Sequence, residues 1–510
     1  MGETEASAQP SPTPLPPRFG LVLCALLLGV LLAALDGTMV AVALPTIVGD
    51  LGGVEDTHWV VTAYLLTATA STLLYGRISD VYGRKPVFLA AIAIFLAGSA
   101  ACSAAQGMGT LAAARALQGL GGGGLLTLAM AVIADVVPGR ARAKYQGLFG
   151  AVFGLASVLG PMVGGPVVDH TSWRWLFLLN LPLGALVLLA VATRLDLPVR
   201  RREHRLDLRG ALLLAAAVGC FLCAITRGQE AGYSSPGSWL PAVGAVALGA
   251  AFLIAERHAP EPVLPLELFR VRAFALTGAV AFCAGVALFA AILFVPLVLQ
   301  LAQHRSATQS GLILVAMTAG LLVSSVGTGR MVSRTGRHQP APVAGAALIT
   351  VAMLGLTRLD AGTSAGTLVL FLAVLGVGIG LISPVLVTVA QASVPAEEIG
   401  VATASVSFFR NLGGTVGSAV GVAVLTHVLT DRLGSGAATG VDPNQLSVLP
   451  DHVATLPPAA HAAFVSAFTD AANSVFWIAA GVGAAAVVLA ALTPALPLAT
   501  GEDRPEASVG

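Results

Sequence analysis

One acidic and one basic residue lie deep inside apolar segments of this chain, where an ionisable group is unstable without a partner or a water-filled cavity. Asp36 lies about ten residues, or ~15 Å, from the end of the first apolar segment. Arg115 lies ~10 Å from the end of the fourth apolar segment that is predicted to face the same side of the membrane. We therefore expect the two side chains to lie at comparable depth, where they could share one cavity.

A carboxyl group in this position can take up a proton or bind a cation. Of 26 acidic residues, only Asp36 lies well inside a predicted membrane span. We interpret it as the proton-coupling residue, with Arg115 as its modulator. The alternative for Asp36 is a structural carboxylate bonded to a Ser, Thr or backbone neighbour. For Arg115, a structural or gating role is equally open.

Four further residues are candidates to line the same cavity. Met39 and Gln118 follow the two charged residues by three positions each, while Arg410 and Asn411 lie near the middle of a later apolar segment. Arg410 could instead bond backbone carbonyl groups across the bundle. The sequence predicts no catalytic residue, no metal site and no cofactor.

The segment GRISDVYGRK, at Gly76–Lys85, follows the second apolar segment. Gly83 allows a tight turn, and Asp80, Arg84 and Lys85 can form ion pairs beside it. From the residues alone, the basic side chains of this segment are interpreted as fixing the membrane topology.

The same pattern returns later in the chain as GRMVSRTGRH, at Gly329–His338, with an offset of 253 residues. This offset also aligns Gly147 with Gly400. Ser333 lies at the position of Asp80, so the predicted ion pair is incomplete in the second copy. Repeats of this kind are typical of transporters built from two related bundles, with the substrate site between them.

The fifth apolar segment is rich in small residues, which let helices approach closely. From the residues alone, this pattern is interpreted as ordinary close packing. The residues concerned are Gly154, Gly160, Pro161, Gly164 and Gly165.

The composition predicts the elements that position these residues. The 510-residue chain is 56% hydrophobic and only 10% charged, with a mean hydropathy of +0.86, which excludes an ordinary soluble enzyme. A net charge of +1 argues against nucleic-acid binding. At about 20 residues per crossing, we predict an all-α polytopic membrane protein with fourteen spans: 19–46, 58–76, 86–105, 109–134, 145–168, 174–194, 208–228, 238–256, 273–301, 308–330, 341–358, 364–391, 400–428 and 470–494.

The repeat pairs spans 1–6 with spans 9–14 and leaves spans 7 and 8 as an insertion. The predicted domains are a disordered tail (1–18), a six-helix bundle (19–195), a two-helix linker (196–260), a second six-helix bundle (261–494) and a second tail (495–510). An outer loop at 429–470 is expected to contain a short folded cap or to act as a passive linker. Lys and Arg are concentrated on one side, which predicts that both termini are cytoplasmic.

Several strings in this order resemble the fourteen-span drug:proton antiporters, the EmrB/QacA-type branch of the major facilitator superfamily. They cover about 19–494. They are LDGTMVAVALP (Leu35–Pro45), GRISDVYGRK (Gly76–Lys85), RALQGLGGG (Arg115–Gly123), GLASVLGPMVGG (Gly154–Gly165), WRWLFLLNLPLG (Trp173–Gly184) and FFRNLGGTVG (Phe408–Gly417).

The resemblance implies two pseudo-symmetric bundles around a central cavity, and export of hydrophobic or monovalent cationic drugs and dyes driven by the proton gradient. It also implies two gating elements. The loop with Gly76, Asp80, Gly83, Arg84 and Lys85 is expected to hold the two bundles together, and the fifth segment, with Gly154, Gly160, Pro161, Gly164 and Gly165, is expected to be a flexible gate helix. Some relatives carry additional acids in later spans. None lies at mid-span here, which argues against divalent cationic cargo. We expect a monomer in a bacterial inner membrane that binds small molecules, protons and lipid, but no nucleic acid. A dedicated exporter of one natural product or lipid is the alternative; a membrane enzyme or sensor is not favoured.

Overall fold

The computed structural model describes residues 19–51, 57–137, 139–195, 207–231, 235–259, 262–303, 305, 307–360, 362–433 and 457–496. These residues form α-helices and two short 3-10 helices, at Leu266–Arg270 and Ala396–Glu398. The α-helices are α1 (Phe19–Leu51), α2 (Thr57–Tyr82), α3 (Arg84–Ser103), α4 (Met108–Val136), α5 (Gly139–His170), α6 (Arg174–Leu178), α7 (Asn180–Arg194), α8 (Leu208–Ala231), α9 (Pro236–His258), α10 (Arg272–Ala302), α11 (Ala307–Thr335), α12 (Pro340–Leu356), α13 (Ala365–Ala392), α14 (Ile399–Leu433) and α15 (Pro458–Ala491).

Ten helical segments in the described part of the chain are long and apolar enough to cross a membrane, with α6 and α7 counted as one. The predicted count of fourteen is not supported by this criterion. The remaining long helices are more polar or shorter: α2 is rich in Thr, α5 begins with several basic residues, the apolar part of α8 covers only Leu212–Ile225, and α12 has 17 residues. The chain is nevertheless a multi-pass, all-helical membrane protein.

Helix contacts fall into two groups, with a hairpin beside them. Helices α1–α7 pack on one another, as do α10–α15, and α8 pairs with α9 and also contacts α2 and α14. The groups meet where α5 packs on α11 and α13, and where α2 and α4 pack on α14. Residues 196–206 and 260–261 lie outside the described residues, so the domain boundaries stay a prediction.

The predicted outer loop is shorter than expected. Helix α14 continues to Leu433 and α15 begins at Pro458, so both flanks of the 429–470 region are helical. An ion pair of 3.0 Å joins Arg432 at the end of α14 to Asp470 in α15. The interval 434–456, where a cap was expected, lies outside the described residues, as do the tails 1–18 and 497–510.

Two glycines provide the turns predicted in the repeated segment. Gly83 between α2 and α3 has φ 92°, and Gly336 between α11 and α12 has φ 69°. Both are left-handed conformations that favour glycine over residues with a Cβ atom. The two positions are separated by the repeat offset of 253 residues, so the two copies form the same kind of turn.

Glycines in α4 let this helix touch the backbones of its neighbours. A Cβ atom at Gly121 would overlap the backbone of Phe95 in α3, and one at Gly123 would overlap the carbonyl oxygen of Ala68 in α2. Close approach of this kind maximises van der Waals packing, which holds helices together where the hydrophobic effect gives no help.

We predict opposite effects for the same substitution at two sites of α4. Gly121→Ala should destabilise the protein by about 1–3 kcal/mol because the methyl group overpacks the α3 contact. Gly109→Ala, which meets open space within 4 Å, should be neutral or stabilising by up to ~1 kcal/mol through helix propensity. Thermal unfolding in detergent, followed by tryptophan fluorescence, measures both; equal melting temperatures would contradict the packing account.

Candidate functional site

Asp36 and Arg115 form a direct ion pair inside the first group of helices. The Nη1 atom of Arg115 donates to the Oδ2 atom of Asp36 over 2.5 Å. The two side chains are only 1% and 2% exposed. Asp36 lies near the middle of α1, ~25 Å from Phe19 along the helix axis. Removing either partner alone would leave an uncompensated buried charge.

Two amides complete the hydrogen bonds of the Asp36 carboxylate. Its Oδ1 atom accepts from Nε2 of Gln118 over 2.7 Å and from Nδ2 of Asn180 over 2.9 Å. Gln118 also accepts from Nη1 of Arg115 over 2.7 Å. Both amide side chains are fully buried. The carboxylate therefore has three donors, which is what a buried ionised group needs in order to be stable.

Further contacts fix these partners in place. The Oγ atom of Ser99 accepts from Gln118 over 3.0 Å and from Asn180 over 2.8 Å, and donates to the carbonyl oxygen of Phe177 over 3.1 Å. The guanidinium carbon of Arg115 lies 4.2 Å from the ring centroid of Tyr64, a cation–π contact. The half-buried Tyr64 ring thus covers a pair that is itself closed to solvent.

Four helices supply the hydrogen-bonded side chains of this network: α4 contributes two, and α1, α3 and α7 contribute one each. Arg115 and Gln118 are three residues apart in α4 and so lie on one face. Asn180 is the first residue of α7 and directly follows Leu179, whose backbone angles (φ −60°, ψ −28°) are helical. Ser99 comes from α3 and Asp36 from α1.

The structure corrects the predicted environment of these residues. Asp36 and Arg115 do lie at one depth, but they form a sealed ion pair and do not share an open cavity. Gln118 is 0% and Met39 4% exposed, so neither lines a cavity in this conformation. Gln118 is held by hydrogen bonds, and Met39 packs against α5, where a Cβ atom at Gly164 would lie 3.3 Å from its Cα atom.

Three members of the network were missed from the sequence: Ser99, Asn180 and Tyr64. Asn180 did carry a signal, because it is the one polar side chain in the apolar run Leu176–Gly184. A buried amide in such a run needs a partner. Ser99 and Tyr64 carried none, because hydroxyl groups of this kind are common in membrane helices and usually bond to their own backbone.

Ion pairs of the Gly76–Lys85 segment lie where α2 ends and α3 begins, at the end of the molecule that we call the basic end. Arg84 pairs with Asp80 over 2.6 Å and with Asp135 at the end of α4 over 3.0 Å. Both oxygens of Asp80 also accept backbone N–H groups, from Gly400 and from Val401, over 3.0 Å each. Asp80 of one helix group thus holds the N-terminus of α14 in the other, a favourable place for an anion.

The two contacts between the helix groups are related by the repeat. A Cβ atom at Gly76 in α2 would overlap Gly400 in α14, and one at Gly147 in α5 would overlap the carbonyl oxygen of Ser325 in α11. The Ser325 hydroxyl also donates to the Gly147 carbonyl over 3.0 Å. Ser333, in the place of Asp80, donates instead to the carbonyl oxygen of Arg330 in its own helix, so within the described residues the Asp80-type anchor is found at α14.

The glycines predicted to form a gate in α5 divide between two faces. A Cβ atom at Gly154 would lie 3.2 Å from Thr318 of α11, in the other helix group, whereas Gly160 and Gly164 pack on Thr38 and Met39 of α1. Gly165 meets nothing within 4 Å, and Pro161 lies inside α5. Gly154 is therefore the member of this set that contacts the opposite group.

The candidate residues of α14 lie apart from the buried pair. Arg410 and Asn411 are both half-buried near the middle of this helix. The structure does not bring Arg410 to Asp36 or Arg115.

Comparisons with known proteins agree with this architecture. The family model of the Major Facilitator Superfamily matches residues 26–418. An uncharacterised MFS-type transporter of Mycobacterium tuberculosis is 40% identical over 485 residues, which cover 95% of this chain and 70% of that protein. The multidrug transporter protein MdtP of Bacillus subtilis is 38% identical over 419 residues, which cover 81% of this chain and 77% of that protein. The proton:xylose symporter XylE has a similar fold, with a TM-score of 0.62 at 15% identity. The match covers 94% of this chain and 97% of XylE.

We predict that Asp80→Asn weakens closure of the basic end. The loss of one charged acceptor should shift the ratio of open to closed conformations by roughly tenfold or more, because hydrogen bonds to charged groups contribute about 1.5–3 kcal/mol. Spin labels at the exposed positions Tyr82 and Ala396 report this as a longer distance in pulsed electron resonance. Ser333→Ala is the matched control and should leave the distribution unchanged; an unchanged distribution in Asp80→Asn would contradict the assignment.

Proposed function

Because this chain belongs to the Major Facilitator Superfamily, and is a transporter rather than an enzyme, we propose that it exports small hydrophobic molecules in exchange for protons. Transporters of this superfamily generally need no cofactor. The observation that supports proton coupling is the Asp36 carboxylate, 1% exposed and held by Arg115, Gln118 and Asn180. Protonation would remove the one negative charge that holds this network together.

The proposed exchange follows from the change of charge at Asp36. In the ionised state three donors keep the carboxylate and Arg115 locked together. In the protonated state Arg115 becomes an uncompensated buried cation, which is strongly unfavourable. The helix group must then rearrange, or Arg115 must move towards water past the ring of Tyr64. A cargo that favours one arrangement and a proton that favours the other exchange by alternating access.

The cargo we propose is hydrophobic drugs and dyes. The similarity to MdtP of Bacillus subtilis, which is named a multidrug transporter, supports a broad range of cargo. Cationic cargo, which the sequence also suggested, gains no support from the site. The carboxylate that would attract a cation is already neutralised by Arg115 and closed to solvent.

The proposed arrangement in the membrane keeps the fourteen crossings of the drug:proton antiporter branch. Helices α2, α5, α8 and α12 would cross together with the ten apolar segments, since α2, α5 and α12 are packed within the two groups and α8 is paired with α9. The basic end would face the cytoplasm by the positive-inside rule, with both termini there and α8–α9 as an insertion between two bundles. We propose a monomer in a bacterial plasma membrane.

The test is efflux of the uncharged dye Nile red from an efflux-deficient bacterial host that produces the protein. We expect energised cells to expel the dye, a protonophore to stop efflux, and Asp36→Asn to lower the initial rate at least tenfold. Asp50→Asn is the matched control on the same helix: Asp50 bonds to Trp173 and Arg174 away from the pair, and its loss should leave the rate within twofold. Wild-type efflux by Asp36→Asn would refute proton coupling through this residue.

A further inference from the structure

Arg410 is a charged side chain that the ion-pair network leaves out. It lies ~16 Å along α14 from Ile399, and is half-buried. Within the described residues its guanidinium has no hydrogen bond and no ion pair. Arg115, by contrast, is bonded to Asp36, Gln118 and the carbonyl oxygen of Val60. An unpaired guanidinium at this depth is stable only beside water or an incoming ligand.

The helical phase of α14 shows where Arg410 points. Gly413 and Gly417 pack on α10, and Gly400 packs on α2. At ~100° per residue, Gly413 and Gly417 lie on one side of Arg410 and Gly414 and Gly421 on the other, and all four pack on α10, whereas Gly400 lies about 80° away. Arg410 therefore lies on the face of α14 that packs on α10, next to the face that packs on α2.

Two half-buried phenylalanines of α10 lie one turn along α14 from Arg410. The ring of Phe289 approaches Gly414, whereas Phe282 approaches Gly413 through its backbone. Within the described residues, the acidic residues of α10–α15 are Asp431, near the end of α14, and Asp470, which lies inside α15 and pairs with Arg432. Neither forms an ion pair with Arg410, and Asp36 is paired with Arg115, so the positive charge of Arg410 has no acidic partner among these residues.

We propose that Arg410 binds the anionic group of an amphiphilic cargo, such as a carboxylate, whose apolar body packs against the phenylalanines of α10. This inference deepens the proposed function and rests on it: it assigns the preferred substrate class as hydrophobic anions, with uncharged compounds second and cations last. A guanidinium suits this role because it presents several donors to a carboxylate at once and stays charged at any physiological pH.

The test uses three probes that share one pyrene body and differ in one group: pyrenebutanoate, pyrenebutanol and pyrenebutylammonium. Binding to the full-length protein in lipid nanodiscs is measured by energy transfer from tryptophan to pyrene, corrected with protein-free nanodiscs. We expect the wild type to bind the anion at least tenfold more tightly than the cation. Arg410→Gln should weaken anion binding about tenfold and leave the alcohol within twofold, and Arg410→Lys should retain most of the anion preference.

The matched control is Arg358→Gln, at an exposed position in the turn after α12, remote from α14, which should change nothing. Equal weakening of all three probes by Arg410→Gln would show a structural role and overturn the proposal. A wild type without preference for the anion would do the same. The assay contains no proton gradient, so it remains valid if Asp36 proves not to couple protons, and failure of one proposal is distinguishable from failure of the other.

Discussion

A charge in the apolar interior of a membrane protein must be neutralised, and this constraint organises the first helix group. Asp36 draws Arg115, Gln118 and Asn180 to one point and so ties α1, α4 and α7 together, with Ser99 of α3 behind the amides. The assembly is held by polar contacts because apolar helices in lipid gain little from the hydrophobic effect between them. A structure of this kind depends on the ionisation state of one carboxyl group.

Helix α4 provides a physical connection from this pair to the basic end. Arg115 lies near its start, and Asp135, which accepts from Arg84, lies near its end ~30 Å away. Helix α2 has the same double role: Tyr64 covers the guanidinium of Arg115, and Asp80 holds the N-terminus of α14. A movement that releases Arg115 therefore acts on the two helices that also close the basic end against the other group.

Much of this architecture is encoded in simple sequence features. An isolated acid in an apolar run predicted the position of Asp36, and equal depth linked it to Arg115. The spacing of the two Gly-rich segments predicted the turns at Gly83 and Gly336. What the sequence could not show was the state of the pair, because depth along two helices does not reveal which faces meet. For the same reason Gln118 was expected at a cavity and is instead buried against Asp36.

The count of crossings illustrates a different limit. Length and apolar composition support ten crossings among the described residues and not the predicted fourteen. Helix α2 contains several Thr residues and α5 begins with basic residues, and both pack on the other helix group. Hydropathy measures contact with lipid, whereas these helices are placed by contacts with protein. Asn180 was missed for a related reason: its importance depends on which face of α7 meets α1, where its amide donates to Asp36.

The central claim is that Asp36 alternates between an ionised, sealed state and a protonated, accessible one. Carbodiimide modification of membranes, followed by peptide mass spectrometry, tests it directly, because this reagent attacks protonated carboxyl groups in apolar surroundings. The account predicts that Asp36 is modified, faster at low pH than at high pH. Absence of modification of Asp36 at every pH, under conditions in which other carboxyl groups of the protein react, would contradict it.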